Sequence, residues 1–85
     1  MPKYTIVLTK KAQKQLDKVS DKIAEQLIES ISKLSLNPRP SGYKKLKGRD
    51  SYRIRSGNYR IIYEIFDNEL IIDVIALGHR KNIYD

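Results

Sequence analysis

Residues 51–63, SYRIRSGNYRIIY, contain β-branched and aromatic residues in runs on both sides of the pair Gly57-Asn58. Such runs predict two β-strands, and a Gly-Asn pair between them predicts a two-residue hairpin turn of the mirror-image type. In that register Arg55 lies opposite Arg60, and Tyr52 lies opposite Tyr63. Because side chains alternate between the faces of a strand, one face of the hairpin carries Tyr52, Ile54, Ile61 and Tyr63, and the other carries Arg53, Arg55 and Arg60.

The first part of the chain predicts a strand followed by two helices. Residues 4–8 are mostly apolar and β-branched, which favours a strand. Helical spacing of apolar residues then predicts helices over residues 10–19 and 21–36, with Thr9 and Ser20 as their N-caps. The apolar positions of the two helices are Ala12, Leu16, Val19, Ile23, Ala24, Leu27, Ile28, Ile31 and Leu34.

The last part of the chain predicts a turn at residues 67–69 and a final strand over residues 70–77. The even-numbered residues of this strand are apolar and are expected to face the helices. With a two-residue turn, Asp73 and Glu64 are expected near the arginines, whereas a slip of one residue in the turn would invert this assignment. The predicted order is β-α-α-β-β-β in a single α+β domain over residues 1–85. We expect a helical hairpin packed on one face of a small, mainly antiparallel twisted sheet, with the other face open.

Composition excludes several classes of site. The sequence has no cysteine and a single histidine, which rules out disulfides and thiolate metal sites and argues against zinc. We therefore predict neither a metal nor a cofactor. No apolar run reaches membrane-spanning length and no signal peptide precedes the first strand, so the sequence predicts a cytoplasmic protein without a membrane partner.

Positive charge is concentrated in one segment. Residues 39–60 contain eight Lys or Arg residues and one Asp, a net charge of +7, whereas the rest of the chain has nine basic and nine acidic residues. A neutral scaffold with one basic segment predicts a nucleic-acid partner. Residues 39–50 have no clear periodicity and are read as a basic loop anchored by Leu46. Its candidates for phosphate contact with RNA are Lys44, Lys45, Lys47 and Arg49.

The arginine-bearing face of the hairpin predicts a particular chemistry. Like charges directly opposite each other destabilise a sheet, so Arg55 opposite Arg60 indicates a binding site for a polyanion. Guanidinium groups bind phosphate in a bidentate manner and can stabilise a phosphorane during attack of a 2′-hydroxyl on RNA. They cannot serve as bases. Proton transfer is therefore left to His79, Tyr84, Glu64 or the RNA itself.

Two stretches, KLKGRDSYRIRSGNYRIIYEI and the later LGHRKNIY, together resemble the RelE-type toxins of the RelE/ParE toxin–antitoxin superfamily. The resemblance covers nearly the whole chain and implies the RelE, or microbial-RNase-like, fold. It implies a ribosome-dependent endoribonuclease that cleaves mRNA at the decoding site. It also implies a cognate antitoxin that neutralises the toxin, and operator DNA bound only through the toxin–antitoxin complex.

The resemblance also assigns roles by position. Arg53 and Arg55 match two basic strand residues, which are lysines in the best-known member, and Arg60 and Arg80 match arginines that grip the scissile phosphate. Tyr84 matches a tyrosine that orients the substrate. His79 falls where some relatives have a catalytic histidine, and we expect it to carry the proton. The alternatives are a ParE-like toxin that poisons gyrase and a non-catalytic nucleic-acid-binding module.

Overall fold

The fold is an α+β arrangement of two helices and five strands, seen in a computed structural model that describes residues 3–46 and 50–79. The sheet order is β1-β5-β4-β3-β2, with β1 parallel to β5 and the other neighbours antiparallel. The predicted fold class is confirmed. The elements are β1 Thr5–Leu8, α1 Lys10–Asp17, α2 Asp21–Leu34, β2 Lys44–Lys45, β3 Ser51–Ser56, β4 Tyr59–Phe66 and β5 Ile71–His79.

Both helices begin at the predicted caps. The Thr9 hydroxyl accepts a hydrogen bond from the backbone N–H of Ala12 at 3.1 Å, and the Ser20 hydroxyl accepts one from Ile23 at 3.3 Å. Such side-chain caps satisfy backbone donors that have no partner within the first turn. The predicted apolar stripe of α2 is correct except at Ile28, which is 49% exposed on the outer side of the helix.

The hydrophobic core lies between the helices and one face of the sheet. The helices contribute residues that are buried at helical spacing, and the sheet contributes alternate residues of β3, β4 and β5. Tyr63, at the centre, is fully buried and its hydroxyl donates a hydrogen bond to the carbonyl of Pro38 at 2.7 Å. The buried members of this cluster are Ala12, Leu16, Leu27, Ile31, Leu34, Ile54, Ile61, Tyr63, Ile72, Val74 and Leu77.

A β-bulge interrupts the pairing of β4 with β5. Tyr63 pairs with Val74 but Ile62 pairs with Ala76, so Ile75 is an extra residue on β5. An extra residue reverses the facing of every side chain that follows it. The prediction that even-numbered residues of the last strand face the helices is therefore correct up to Val74 and wrong at Ala76. The strand also begins at Ile71 rather than Leu70, which lies in the preceding turn with a φ of +54°.

An ion pair anchors the segment that follows α2. Arg39 donates to the Asp67 carboxylate at 2.9 Å, and the hydroxyl of Tyr4 donates to the same carboxylate at 2.7 Å. These bonds, first of all the one from Arg39, hold the pKa of Asp67 below its usual range, and the bond to Asp67 raises the pKa of Tyr4. Arg39, counted above in the basic segment, therefore has a structural partner.

No helix in the described part of the chain is long and apolar enough to cross a membrane.

Candidate active site

The hairpin of β3 and β4 has the predicted turn and register. Ser56 pairs with Tyr59 around Gly57-Asn58, and Gly57 has a φ of +61°, the left-handed region that glycine adopts without strain. The turn packs on α2, where the hydroxyls of Ser56 and Ser30 lie 2.8 Å apart. The tip of the hairpin is thus fixed to the helical layer, and its two strands hold a defined orientation.

Within the described strands, four basic residues share the face of the sheet that points away from the helices. Arg55 lies directly opposite Arg60, as predicted, and Lys44 on β2 lies directly opposite Arg53. Each of these pairs places like charges on neighbouring strands, an arrangement that costs stability in the absence of an anion. Lys44, Arg53, Arg55 and Arg60 are called the basic face below.

The basic face is not uniformly open, and in this respect the expectation of a solvent-facing arginine trio is wrong. Arg53 is only 6% exposed, Arg60 is partly buried and Arg55 is exposed. A guanidinium with little access to water keeps stronger electrostatic interactions than one in solvent. The burial of Arg53 therefore gives one end of the basic face a fixed charge in a region of reduced solvent screening.

Small or apolar residues of β4 and β5 border the basic face. Ile62 lies opposite Arg53 and is followed across the sheet by Ala76, and Gly78 lies opposite Arg60. Because glycine has no side chain, the position beside Arg60 on β5 is left without bulk. No side chain of β5 therefore stands directly beside the partly buried Arg60 at this strand position.

The opposite end of the same face is acidic. Glu64 pairs with Asp73, and the two carboxylates lie on the face of Arg60, two strand positions beyond Ile62. The prediction that Glu64 and Asp73 lie on the arginine side of the sheet is thus correct. The face therefore divides into a basic half near the hairpin tip and an acidic half toward the β4–β5 turn.

His79 lies on the other side of the sheet from the basic face. It pairs with Tyr59, whose ring packs against the core, and the two rings meet edge-on with centroids 5.6 Å apart. The histidine borders a small cleft lined by Gln15, Lys18 and Val19 of the helical layer. The expectation that His79 joins the arginines is not met in the structure, because the bulge at Ile75 reverses the facing of the residues after it.

The remaining predicted site residues divide into two groups. Lys45 is described, is exposed and forms an ion pair of 3.8 Å with Asp50. Lys47, Arg49, Arg80 and Tyr84 lie outside the described residues. The placement of Lys44 on a strand was missed by sequence reasoning, because a two-residue strand of two lysines has no apolar alternation to reveal it.

A cleft of about 570 Å³ adjoins the basic face where β2 ends. It lies between the second half of α2 and the outer edge of β3, and the turn at Pro40–Gly42 closes one side. The side chains of Lys33 and Arg55 border the opening, and Leu34 and Ile54 form its floor. The cleft extends the basic face over the edge of the sheet.

This geometry can bind and polarise a phosphodiester, and it differs from a metal or nucleophile site. Arginine supplies fixed hydrogen-bond donors for the oxygens of a phosphorane and does not transfer protons. Within residues 3–46 and 50–79 there is no group of three or more His, Asp or Glu residues arranged to hold a metal ion. The described side chains of the basic face are thus suited to hold an anion by charge and hydrogen bonding.

Comparison with known proteins places the chain in a family. Residues 6–84 match the family model described as the ParE toxin of the type II toxin–antitoxin system parDE. The chain is 31% identical over 81 residues to the mRNA interferase toxin RelE of Escherichia coli K12. The aligned region covers 92% of this chain and 84% of that protein.

Solved structures agree with the sequence match. The toxin–antitoxin complex RelBE2 of Mycobacterium tuberculosis superposes with a TM-score of 0.85 at 27% identity, over 96% of this chain and 97% of that one. The archaeal RelE–RelB complex of Pyrococcus horikoshii gives a TM-score of 0.82 at 27% identity, over 98% and 100% of the two chains. The chain therefore belongs to the RelE/ParE family of toxins from type II toxin–antitoxin systems, as a RelE-type member.

Proposed function

We propose that this protein is an endoribonuclease that cleaves mRNA on the ribosome, acts in the cytoplasm, and is neutralised by a cognate antitoxin. The observation that carries the proposal is the basic face with its two directly opposed like-charge pairs, Lys44 with Arg53 and Arg55 with Arg60. Such pairs are expected where a bound anion offsets the repulsion. The relative named mRNA interferase toxin RelE supports mRNA as that anion, and the RelBE2 and RelE–RelB complexes support an antitoxin partner.

The proposed reaction is an internal transesterification. The 2′-hydroxyl oxygen forms a bond to the adjacent phosphorus, the bond from phosphorus to the 5′ oxygen breaks, and the products are a 2′,3′-cyclic phosphate and a 5′-hydroxyl. Arg55 and Arg60 bind the non-bridging oxygens and stabilise the charge that develops on them. The buried Arg53 provides a fixed positive charge behind the scissile phosphate.

The protons move from the 2′-hydroxyl to a base and from an acid to the 5′ oxygen. Arginine fills neither role, since its guanidinium stays protonated. Because His79 faces the helical layer, it is not the group that moves these protons. Arg80 and Tyr84 enter the proposal on the resemblance to the family, Arg80 as a further phosphate ligand and Tyr84 as a residue that orients the substrate.

The test is mRNA cleavage on translating ribosomes, followed by mapping of the new 5′ ends. Wild-type protein should cut within codons at the decoding site, and Arg60→Ala should lower the rate by about 10²–10³-fold, the usual effect of removing one preorganised donor. Lys22→Ala removes an exposed lysine of α2 and serves as the matched control. Equal cleavage by Arg60→Ala and Lys22→Ala would refute the proposed site.

A second function is favoured by the description of the matching family model, which names the ParE toxin. A ParE-like toxin would act on a topoisomerase and leave mRNA intact. Induction of the protein in cells separates the two, because intact mRNA with double-strand DNA breaks supports gyrase poisoning. RNA binding that is lost in Arg60→Ala, without cleavage by either protein, would instead identify a non-catalytic RNA-binding module.

A further inference from the structure

The bulge at Ile75 decides which residues of β5 border the basic face. Before it, Ile72 and Val74 point to the helices, and after it, Leu77 and His79 do so. Uninterrupted alternation would instead turn Leu77 and His79 toward Arg60. With the bulge, Ala76 and Gly78 occupy that side, and Leu77 is fully buried in the core.

The N-cap of α1, Thr9, and the α1 residue Gln15 hold the backbone of β5 at and after the bulge. The pairing of β1 with β5 ends at Leu8 and Val74, so β1 does not extend along the rest of β5. The Thr9 hydroxyl donates to the carbonyl of Ile75 at 2.7 Å. The side-chain oxygen of Gln15 accepts the backbone N–H of Leu77 at 2.8 Å. These two groups take over, along the second half of β5, the hydrogen bonding that a neighbouring strand would supply.

Gln15 is a half-buried polar residue of α1 whose side chain is turned toward the sheet. It lies on an otherwise polar helix whose buried residues are Ala12 and Leu16, and its amide reaches a main-chain donor of β5 rather than solvent. A partly buried backbone N–H without an acceptor costs free energy, so the bond to Gln15 favours this register of β5 over a slipped one.

We propose that Gln15, together with Thr9, is a positioning residue for RNA cleavage. It fixes the bulged register of β5, so that a glycine rather than a side chain lies opposite Arg60 and leaves room for the substrate. The inference rests on the proposed function, since the register of β5 can affect cleavage only if the basic face binds RNA. It assigns a role in the reaction to a helix residue on the far side of the sheet from the substrate.

The test compares Gln15→Met, which keeps the length of the side chain but removes its acceptor, with Gln15→Glu, which keeps an acceptor oxygen. We expect the Leu77 amide of Gln15→Met to exchange with solvent about tenfold faster, equivalent to one modest hydrogen bond. Single-turnover cleavage on the ribosome should slow by about tenfold while the affinity for the ribosome stays the same. Gln15→Glu should restore both values to within about twofold of wild type.

If Gln15→Met does not fold, a second variant still tests whether the space opposite Arg60 is needed for cleavage. Gly78→Val leaves Gln15 in place and adds a β-branched side chain opposite Arg60, so it should slow cleavage by at least about tenfold in a folded protein. Wild-type cleavage by Gly78→Val, or by a folded Gln15→Met with fast Leu77 exchange, would overturn the inference. Arg60→Ala is run beside them: if it also cleaves normally, the proposed site itself has failed, whereas its loss of activity confines the failure to the positioning role.

Discussion

Arg55 and Arg60 lie directly opposite each other on neighbouring strands, on the face of the sheet that points away from the core. The hairpin turn at Gly57-Asn58 fixes this opposition, and the Ser56–Ser30 contact ties the turn to α2. A fold selected for stability alone has no reason to keep two guanidinium groups in this relation. The pair therefore predicts opposite effects of one substitution on stability and on activity.

Arg55→Gln should lower activity without lowering stability. It removes one of two opposed charges from an exposed position, so the free energy of unfolding should stay unchanged or rise by about 0.2–1 kcal/mol. The rate of mRNA cleavage should fall by about 10²-fold or more, because a charged phosphate ligand is lost. Urea unfolding and single-turnover cleavage measure the two quantities.

Arg55→Lys is the matched control for that substitution. It keeps the charge but loses the planar bidentate donor, so its cleavage rate should lie between those of wild type and Arg55→Gln. A marked loss of stability in Arg55→Gln would show that Arg55 supports the fold, and would remove the argument from like-charge opposition.

His79→Gln should retain cleavage. The side chain of His79 lies beside Tyr59 on the helical side of the sheet, away from the basic face. We expect a rate within about threefold of wild type, compared with a loss of about 10²-fold or more for Arg60→Gln in the same assay. Loss of activity in His79→Gln, with an unchanged melting temperature, would mean that RNA also contacts the helical side of the sheet.

Asp67→Asn should remove part of the acid sensitivity of the fold. The pKa of Asp67 is lowered in the folded protein, first by its hydrogen bond with Arg39 and then by that with Tyr4. A lowered folded-state pKa adds stability above the unfolded value of about 4, and this stability is lost as the pH falls through the folded-state pKa. The urea midpoint of wild type should therefore decline more between pH 6 and pH 3 than that of Asp67→Asn.

Glu69 is an exposed acidic residue in the same turn, and Glu69→Gln is the control for the pH series. If Glu69→Gln and Asp67→Asn follow the same pH dependence, the ion pair with Arg39 does not contribute measurably to the stability of the fold.

Gly57→Ala should destabilise the hairpin. Alanine at a φ of +61° is strained, and its Cβ would lie 2.5 Å from the side-chain nitrogen of Gln26, which must move. We expect a loss of at least about 1 kcal/mol in the free energy of unfolding, measured by urea denaturation. Gly57→Asn meets the same neighbour but tolerates the left-handed region better, so it should lose less stability. Equal losses in both variants would assign the effect to the Gln26 contact rather than to the backbone.

The sequence predicted those parts of the fold that follow from local rules. The caps at Thr9 and Ser20, the turn at Gly57-Asn58 and the opposition of Arg55 to Arg60 all depend on residues close together in the chain, and all are confirmed. The family resemblance was likewise confirmed by the comparisons.

The errors arose where a distant part of the chain determines the outcome. The bulge is held by Thr9 at Ile75 and by Gln15 at Leu77, each more than sixty positions away, and no pattern within residues 70–79 reveals it. That single extra residue moved His79 to the other side of the sheet. The strand at Lys44–Lys45 forms because β3 offers it an edge, and the burial of Arg53 likewise depends on tertiary packing.

Among the described residues of the outer sheet face, Lys44, Arg55 and Arg60 occupy one half and Glu64 and Asp73 the other, so positive and negative charge are separated along the strands of this face. If this face binds RNA as we propose, the approaching polyanion would be attracted more strongly at the hairpin tip than at the end with the two carboxylates. Orientation in the encounter complex speeds productive association, and this gain diminishes as ionic strength rises. On the proposed function, the two ends of this face would therefore favour one direction of the RNA strand before any base is recognised.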